Sequence, residues 1–346
     1  MNAPASTMLR SIMTSSALVW IEFIACMALI GVAGSRLIRY GDAIAELAGL
    51  SRSWVGLILV ATVTSLPELV TGLSAVTVAQ APDIAVGDAL GSAVFNLTIL
   101  AFVDVFYRKE SVYAIASRGH VLSASLGVML LTAAALILTL STQKSMPSLG
   151  HISVGSVVLM GLYTLAMRLI YVNEQRHHQA AAATASSLSL KSALMGYAMA
   201  AVVIVGSGIW LPLLGVELAR IMGWSNSFVG TLFVAMATSV PEVATTVAAL
   251  RIGAVDLAIG NLLGSNLFDV LILAVDDVAY RAGPLYELVS PLHTVSALTA
   301  ATMSGAVVVA LVFRPASRVL RLGSWASVVL LTLYLLNAFV QFWHGR

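Results

Sequence analysis

Apolar residues fill this chain in long runs, with neither the alternation of a strand nor the stripe of a surface helix. Ten runs reach the length of about 20 residues that a helix needs to cross the ~30 Å hydrocarbon layer of a bilayer. They cover 17–40, 54–80, 83–105, 119–140, 151–172, 191–219, 227–250, 256–276, 290–313 and 323–343. The pattern predicts an all-α integral membrane protein of ten transmembrane helices. Residues 1–16 carry only Arg10 and read as a short N-terminal tail. The first run is too long for the apolar core of a signal peptide and reads as a span. The longest polar stretch, NEQRHHQAAAATASSLSL at 173–190, has the Ala and Ser content of a flexible linker. His177 and His178 within it read as a solvated face, since two histidines alone are a weak metal signal.

Most polar positions lie between the runs, but a few lie inside them, and these recur. VGLILVATVTSLPELVTGLSA (55–75) aligns without a gap with VGTLFVAMATSVPEVATTVAA (229–249), identical at 10 of 21 positions. DIAVGDALGSAVFNLTIL (83–100) aligns with DLAIGNLLGSNLFDVLIL (256–273) at 9 of 18. Gly34, Gly41 and Gly49 recur as Gly208, Gly215 and Gly223, and DVFYR (104–108) as DVAYR (277–281). The chain therefore divides into a five-span half at 17–172, the linker, and a second half at 191–346. Five is odd, so equivalent helices run in opposite directions, an inverted repeat of the kind used for alternating access.

Composition agrees: charged residues are 10% of 346, far below the quarter usual in soluble domains. One cysteine, Cys26, excludes an internal disulfide framework. Of the 18 Lys and Arg, 5 fall at the termini and in the loops after even-numbered spans, and 13 in the loops after odd-numbered ones. Positive charge favours the cytoplasm, so both termini are expected outside, in a cell (inner) membrane.

The repeated stretches carry the chemistry. Glu68 and Glu242 lie halfway along spans 2 and 7, where a charge costs at least ~2.5 kcal/mol. No Lys or Arg lies deep in a span to pair with them. Protons or bound cations remain as neutralisers. Pro67 and Pro241 have no N–H, so the carbonyls of Val63 and Ala237 lose their helical partner, and freed carbonyls are hard ligands. Thr64 and Thr238 precede the glutamates by one turn and share their face. Ser92 and Asn96, and Ser265 and Asp269, repeat that spacing in spans 3 and 8. All eight side chains offer oxygen, which favours Na⁺, Ca²⁺, Mg²⁺ or Mn²⁺ over zinc or copper. Gly87 and Gly91, like Gly260 and Gly264, form GxxxG pairs that let helix backbones approach closely.

These two motif pairs, TSLPE with GSAVFN and TSVPE with GSNLFD, resemble the alpha-repeats of the calcium/cation antiporter superfamily and, within it, the sodium/calcium exchangers. The direct resemblance covers about 80 residues, and the five-plus-five layout extends it to the whole chain. It implies a secondary antiporter, not an enzyme, that exchanges Na⁺ for Ca²⁺ through alternating access. It implies no cofactor, only the transported Ca²⁺ and Na⁺ (or H⁺). The surroundings it implies are membrane lipid, with no nucleic acid and no protein partner to infer. By position, the resemblance makes Glu68, Asn96, Glu242 and Asp269 the central diamond that holds the cation. Thr64, Ser92, Thr238 and Ser265 are its hydroxyls, Ala61 and Ala235 its backbone carbonyls, and Pro67 and Pro241 its helix breaks.

The chain departs from the family pattern in places. Val63 and Ala237 stand where the family commonly has Gly, and Asp88 stands where it has Asn, which Asn261 keeps. Asp88 has two readings: a change in ion choice or pH response, or a hydrogen bond to a helix end near the interface. Asp104/Arg108 and Asp277/Arg281 read as i, i+4 ion pairs at span ends, structural in role. On the same fold, H⁺/cation exchange carrying Ca²⁺, K⁺ or Mn²⁺ is an alternative. An intramembrane aspartyl protease built on Asp42 and Asp88 is a remote one, because those residues are expected at different depths. A channel would not need a compact carboxylate centre.

Overall fold

The computed structural model describes residues 5–47, 63–107, 110–176, 189–315 and 323–345. Helix α1 spans Ala5–Leu47, α2 Leu66–Thr77, α3 Pro82–Phe106, α4 Val112–Ile115, α5 Gly119–Thr142 and α6 Val154–Arg176. Then follow α7 Leu190–Met222, α8 Asn226–Thr238, α9 Val240–Arg251, α10 Val255–Ala279, α11 Leu285–Leu288, α12 Leu292–Phe313 and α13 Trp325–His344. The helix α1 starts at Ala5, so most of the stretch expected as a tail continues the first helix. A two-residue hairpin, β1 Ser148–Leu149 with β2 Ile152–Ser153, turns at Gly150, whose φ of +68° suits glycine.

Among the described residues, eight helices are long and apolar enough to cross a membrane, and α8 with α9 makes a ninth candidate bent by 43°. The first half of the expected second span, 54–62, lies outside the described residues. Its second half is α2, which begins after a break at Ser65. The protein is thus a nearly all-helical integral membrane protein.

α3 and α10 form the interior, with 78% of the apolar window of each buried. Glycines set their spacing. A Cβ on Gly91 would stand 2.2 Å from the Thr231 carbonyl oxygen of α8, and one on Gly87 2.9 Å from the Thr231 nitrogen. The GxxxG pair of α3 therefore presses backbone on backbone, as small residues permit. α1 and α7 lie side by side and each seats the core helix of the opposite half. Gly34 receives the Pro241 ring, and Gly208 receives Val70.

Carboxylates at the helix ends tie one half to the other in matched pairs. Asp104 of α3 accepts hydrogen bonds from Ser111 Oγ (2.8 Å) and Val112 N (2.9 Å). It also accepts from Ser324 N and Ser327 Oγ (both 2.7 Å), at the start of the last helix of the other half. Asp277 of α10 does the same in reverse, accepting from Leu285 N (2.7 Å), Ser153 N (2.8 Å) and Ser156 Oγ. Asp83 meets Ser290 N (2.7 Å) and His293 Nε2 (2.9 Å), while Asp256 meets Ser117 N (2.7 Å) and His120 Nε2 (3.1 Å). Orphan N–H groups at helix starts draw such acceptors. The expected Asp277/Arg281 ion pair is therefore corrected: Asp277 caps loops, and Arg281 Nη1 lies 3.2 Å from the His151 ring. Arg108, its counterpart, lies outside the described residues, as do His177 and His178.

Candidate cation site

The two TS-x-PE motifs shape their helices alike. Val63 and Thr64 are helical, Ser65 is a turn with ψ 11°, and α2 restarts with Pro67 in its first turn. In the other half, a π-helical stretch at Val229–Val234 leads into α8's last turn. The chain breaks at Ser239, ψ 9°, and α9 restarts with Pro241 in its first turn. Proline is tolerated there because first-turn N–H groups have no intrahelical acceptor. Glu68 and Glu242 consequently sit in first turns, where the helix dipole favours an acid.

All eight expected side chains are no more than 2% exposed, and seven of them come together, with Asn96 one turn past Ser92 on α3. Thr64 Oγ1 lies 3.2 Å from Ser265 Oγ, and Ser265 Oγ donates to Glu242 Oε1 at 3.3 Å. Ser92 Oγ lies 3.5 Å from Thr238 Oγ1. Glu242 is within Coulombic reach of Glu68 and Asp269. Glu68 Oε2, Glu242 Oε2, both carboxylate oxygens of Asp269 and both side-chain polar atoms of Asn96 have no hydrogen-bond partner among the described residues. Buried polar atoms are nearly always paired, so this concentration of spare oxygen has the chemistry of a site for a hard cation. Among the described residues, no three His, Cys, Asp or Glu side chains converge into a metal cage by themselves.

The carbonyl ligands fare differently. Ala61 lies outside the described residues. Ala235 O accepts from Ser239 N at 3.1 Å, and Thr238 Oγ1 lies 3.1 Å from it.

Four residues join the site beyond the sequence reading of its ligands. Ser239 Oγ lies 3.2 Å from Glu68 Oε1 and 3.1 Å from Ser92 Oγ, bridging the halves. Ser65 is its counterpart, buried at the first break. Both are the second residue of the repeated pentapeptide, and that identity was the available signal. Asp88 Oδ1 accepts from Thr238 Oγ1 at 2.9 Å, and Asn261 Oδ1 accepts from Thr64 Oγ1 at 3.4 Å. Asp88 is 1% exposed, so its interfacial reading is corrected: it adds a carboxylate to the centre.

The chain matches the family of sodium/calcium exchanger proteins over residues 18–172 and 192–343. It is 26% identical over 255 residues to the inner membrane protein YrbG of Escherichia coli K12, a match covering 71% of this chain and 74% of that one. The fold is similar to that of the sodium-calcium exchanger NCX_Mj, with a TM-score of 0.60, 21% identity, and 93% and 98% of the two chains covered. It is also similar to the H⁺/Ca²⁺ exchanger CAX, with a TM-score of 0.66, 18% identity, and 98% and 92% covered.

Proposed function

The chain belongs to the sodium/calcium exchanger protein family, and on that premise we propose that it is a secondary active antiporter exchanging Na⁺ for Ca²⁺. The observation that carries this reading is the buried convergence of Glu68, Glu242 and Asp269 with unpartnered oxygens, ringed by Thr and Ser hydroxyls from both halves, with buried, unpartnered Asn96 one turn past Ser92. Carboxylates cannot stay bare in a dry centre. One divalent ion, or several monovalent ones, must balance them before the protein moves. That requirement couples the two fluxes without a channel.

The reciprocal contacts support ten spans in two inverted halves. Each end carboxylate holds the matching helix start of the other half. With both termini outside, the ends of α3 and α9 face the cytoplasm. There, Val103, Thr246 and Arg251 line a groove of about 610 Å³. The matched positions at the outer end, Gly72 and Asp276, are in close contact. α1 and α7, seated by glycines on the core helices, are the elements that slide to switch access. A cysteine placed at Gly150 should then react with an impermeant reagent from outside; protection there from outside reagent argues for the opposite orientation.

Both conservative variants, Glu68→Gln and Glu242→Gln, are expected to abolish exchange in reconstituted vesicles. Wild-type flux in both would remove the site from the mechanism. Proton-driven exchange is the second reading, favoured by Asp88, a carboxylate in the position that Asn261 fills in the other half.

A further inference from the structure

Asp276 is a buried acid outside the central site. It lies seven residues beyond Asp269 on α10, about two turns or ~10 Å farther along the same face. It is fully buried, and neither carboxylate oxygen has a hydrogen-bond partner among the described residues. Its carboxylate rests against Gly72 of α2, one turn past Glu68. A Cβ at Gly72 would stand 2.5 Å from Oδ2 and 2.9 Å from Oδ1. The other half carries Thr246 and Val103 at the matched positions, so this acid exists on one side only.

The groups facing it are acids and hydroxyls. On its own helix Asp277 follows, bound to Ser153, Ser156 and Leu285. From α11 comes Tyr286, whose phenol burial and Asp277 push well above its usual range, so it stays neutral. From α2 comes Glu68, from α3 Asp88, and from α9 Glu242, all toward the centre. α5 offers only His120, bound to Asp256 at the opposite end of α10. From α6, Ser156 contacts Tyr286 Oη at 3.1 Å, and Tyr163 meets Phe268 edge to face; Arg168 is exposed. No Lys or Arg among the described residues forms an ion pair with Asp276.

A buried carboxylate with no basic partner needs a proton or a metal ion. A metal ion needs several oxygens, and Gly72 supplies no side chain for one. A proton needs one. Past Asp276 lie Asp277, Ser156 and Tyr286, joined by hydrogen bonds, and separately His151 meets Arg281 at the exposed end.

We propose that Asp276 is a proton-binding station that yields its proton when the central site takes up a divalent cation. The inference rests on the reading of Ca²⁺ as cargo. A cation at the centre favours the ionised carboxylate nearby, and reciprocity then requires that a proton on Asp276 weakens cation binding. Ca²⁺ affinity therefore falls as pH falls, and binding releases protons.

Calorimetric titration of the purified full chain with Ca²⁺, in buffers of different ionisation enthalpy, reads binding and proton release together. Wild type is expected to release more protons than Asp276→Asn by about one per Ca²⁺ bound. Asp276→Val, which installs the residue of the other half, is expected to match Asp276→Asn. Variants that still bind Ca²⁺ are folded, and equal release from them and wild type overturns the proposal. Gly72→Ala keeps the acid and crowds it, so it is expected to shift the pH at which release occurs. An unchanged profile there also counts against it. Wild type that binds no Ca²⁺ overturns the cargo reading, and the linkage with it.

Discussion

Ser239 has no acid or amide chemistry of its own, yet it joins Glu68 and Ser92 of one half to the chain break of the other. Removing one buried hydrogen bond costs about 1 kcal/mol, or roughly a fivefold change in an affinity. Ser239→Ala is therefore expected to raise the half-saturating Ca²⁺ concentration by about that factor in a transport assay. Ser65→Ala is expected to change it less, because Ser65 Oγ has no partner among the described residues. An unchanged Ca²⁺ dependence in Ser239→Ala would separate Ser239 from the site. Glu68, Glu242, Asn96 and Asp269 were legible in the sequence because polar residues stand out inside apolar runs and recur in register. Ser239 was not, because its partners Glu68 and Ser92 lie in the other half, which spacing along one helix cannot show. The break that turns it inward is a backbone feature, set by Pro241 and the π-helical stretch before it. Asp88 was visible as a departure, but its depth was not. Only the contact with Thr238 places it at the centre.

At the scale of elements, the meeting of α3 and α8 depends on the absence of a single methyl group. A Cβ on Gly91 would stand 2.2 Å from the Thr231 carbonyl oxygen and 2.8 Å from Ala235 Cβ, and backbone cannot swing aside as a side chain can. Overpacking of this kind costs ~1–3 kcal/mol or more. Gly91→Ala is expected to lower the Tm of the detergent-solubilised protein by several degrees. Gly161→Ala, with nothing within 4 Å of its Cβ, is expected to leave the Tm unchanged. Equal Tm values for the two variants would contradict the packing described for α3. Eight of the spans were legible from run length, and the breaks from proline. The hairpin at 148–153 was not, since two-residue strands carry no periodicity. Asp277 and Arg281 have the spacing of a helical ion pair, but four orphan N–H and O–H groups of distant chain segments compete for Asp104, and three for Asp277. Sequence spacing cannot register contacts made across the two halves.

For the whole molecule, duplication means that each half supplies one glutamate, one helix break and one Ser-containing interior helix to a shared centre. The two halves are not identical there. Asp88 faces Asn261 across the pseudo-symmetry, and Asp276 answers Val103. These differences give the two sides of the membrane different chemistry, which a symmetric exchanger would lack. The central claim is that Ca²⁺ and Na⁺ compete for this one centre, so that either gradient drives the other ion. The direct test loads vesicles containing the purified protein with Na⁺, dilutes them into Na⁺-free buffer at equal pH, and follows uptake of radiolabelled Ca²⁺. The account predicts rapid uptake that collapses when Na⁺ is equal on both sides. Uptake that ignores the Na⁺ gradient and follows an imposed pH gradient instead would contradict sodium exchange and move the coupling to protons.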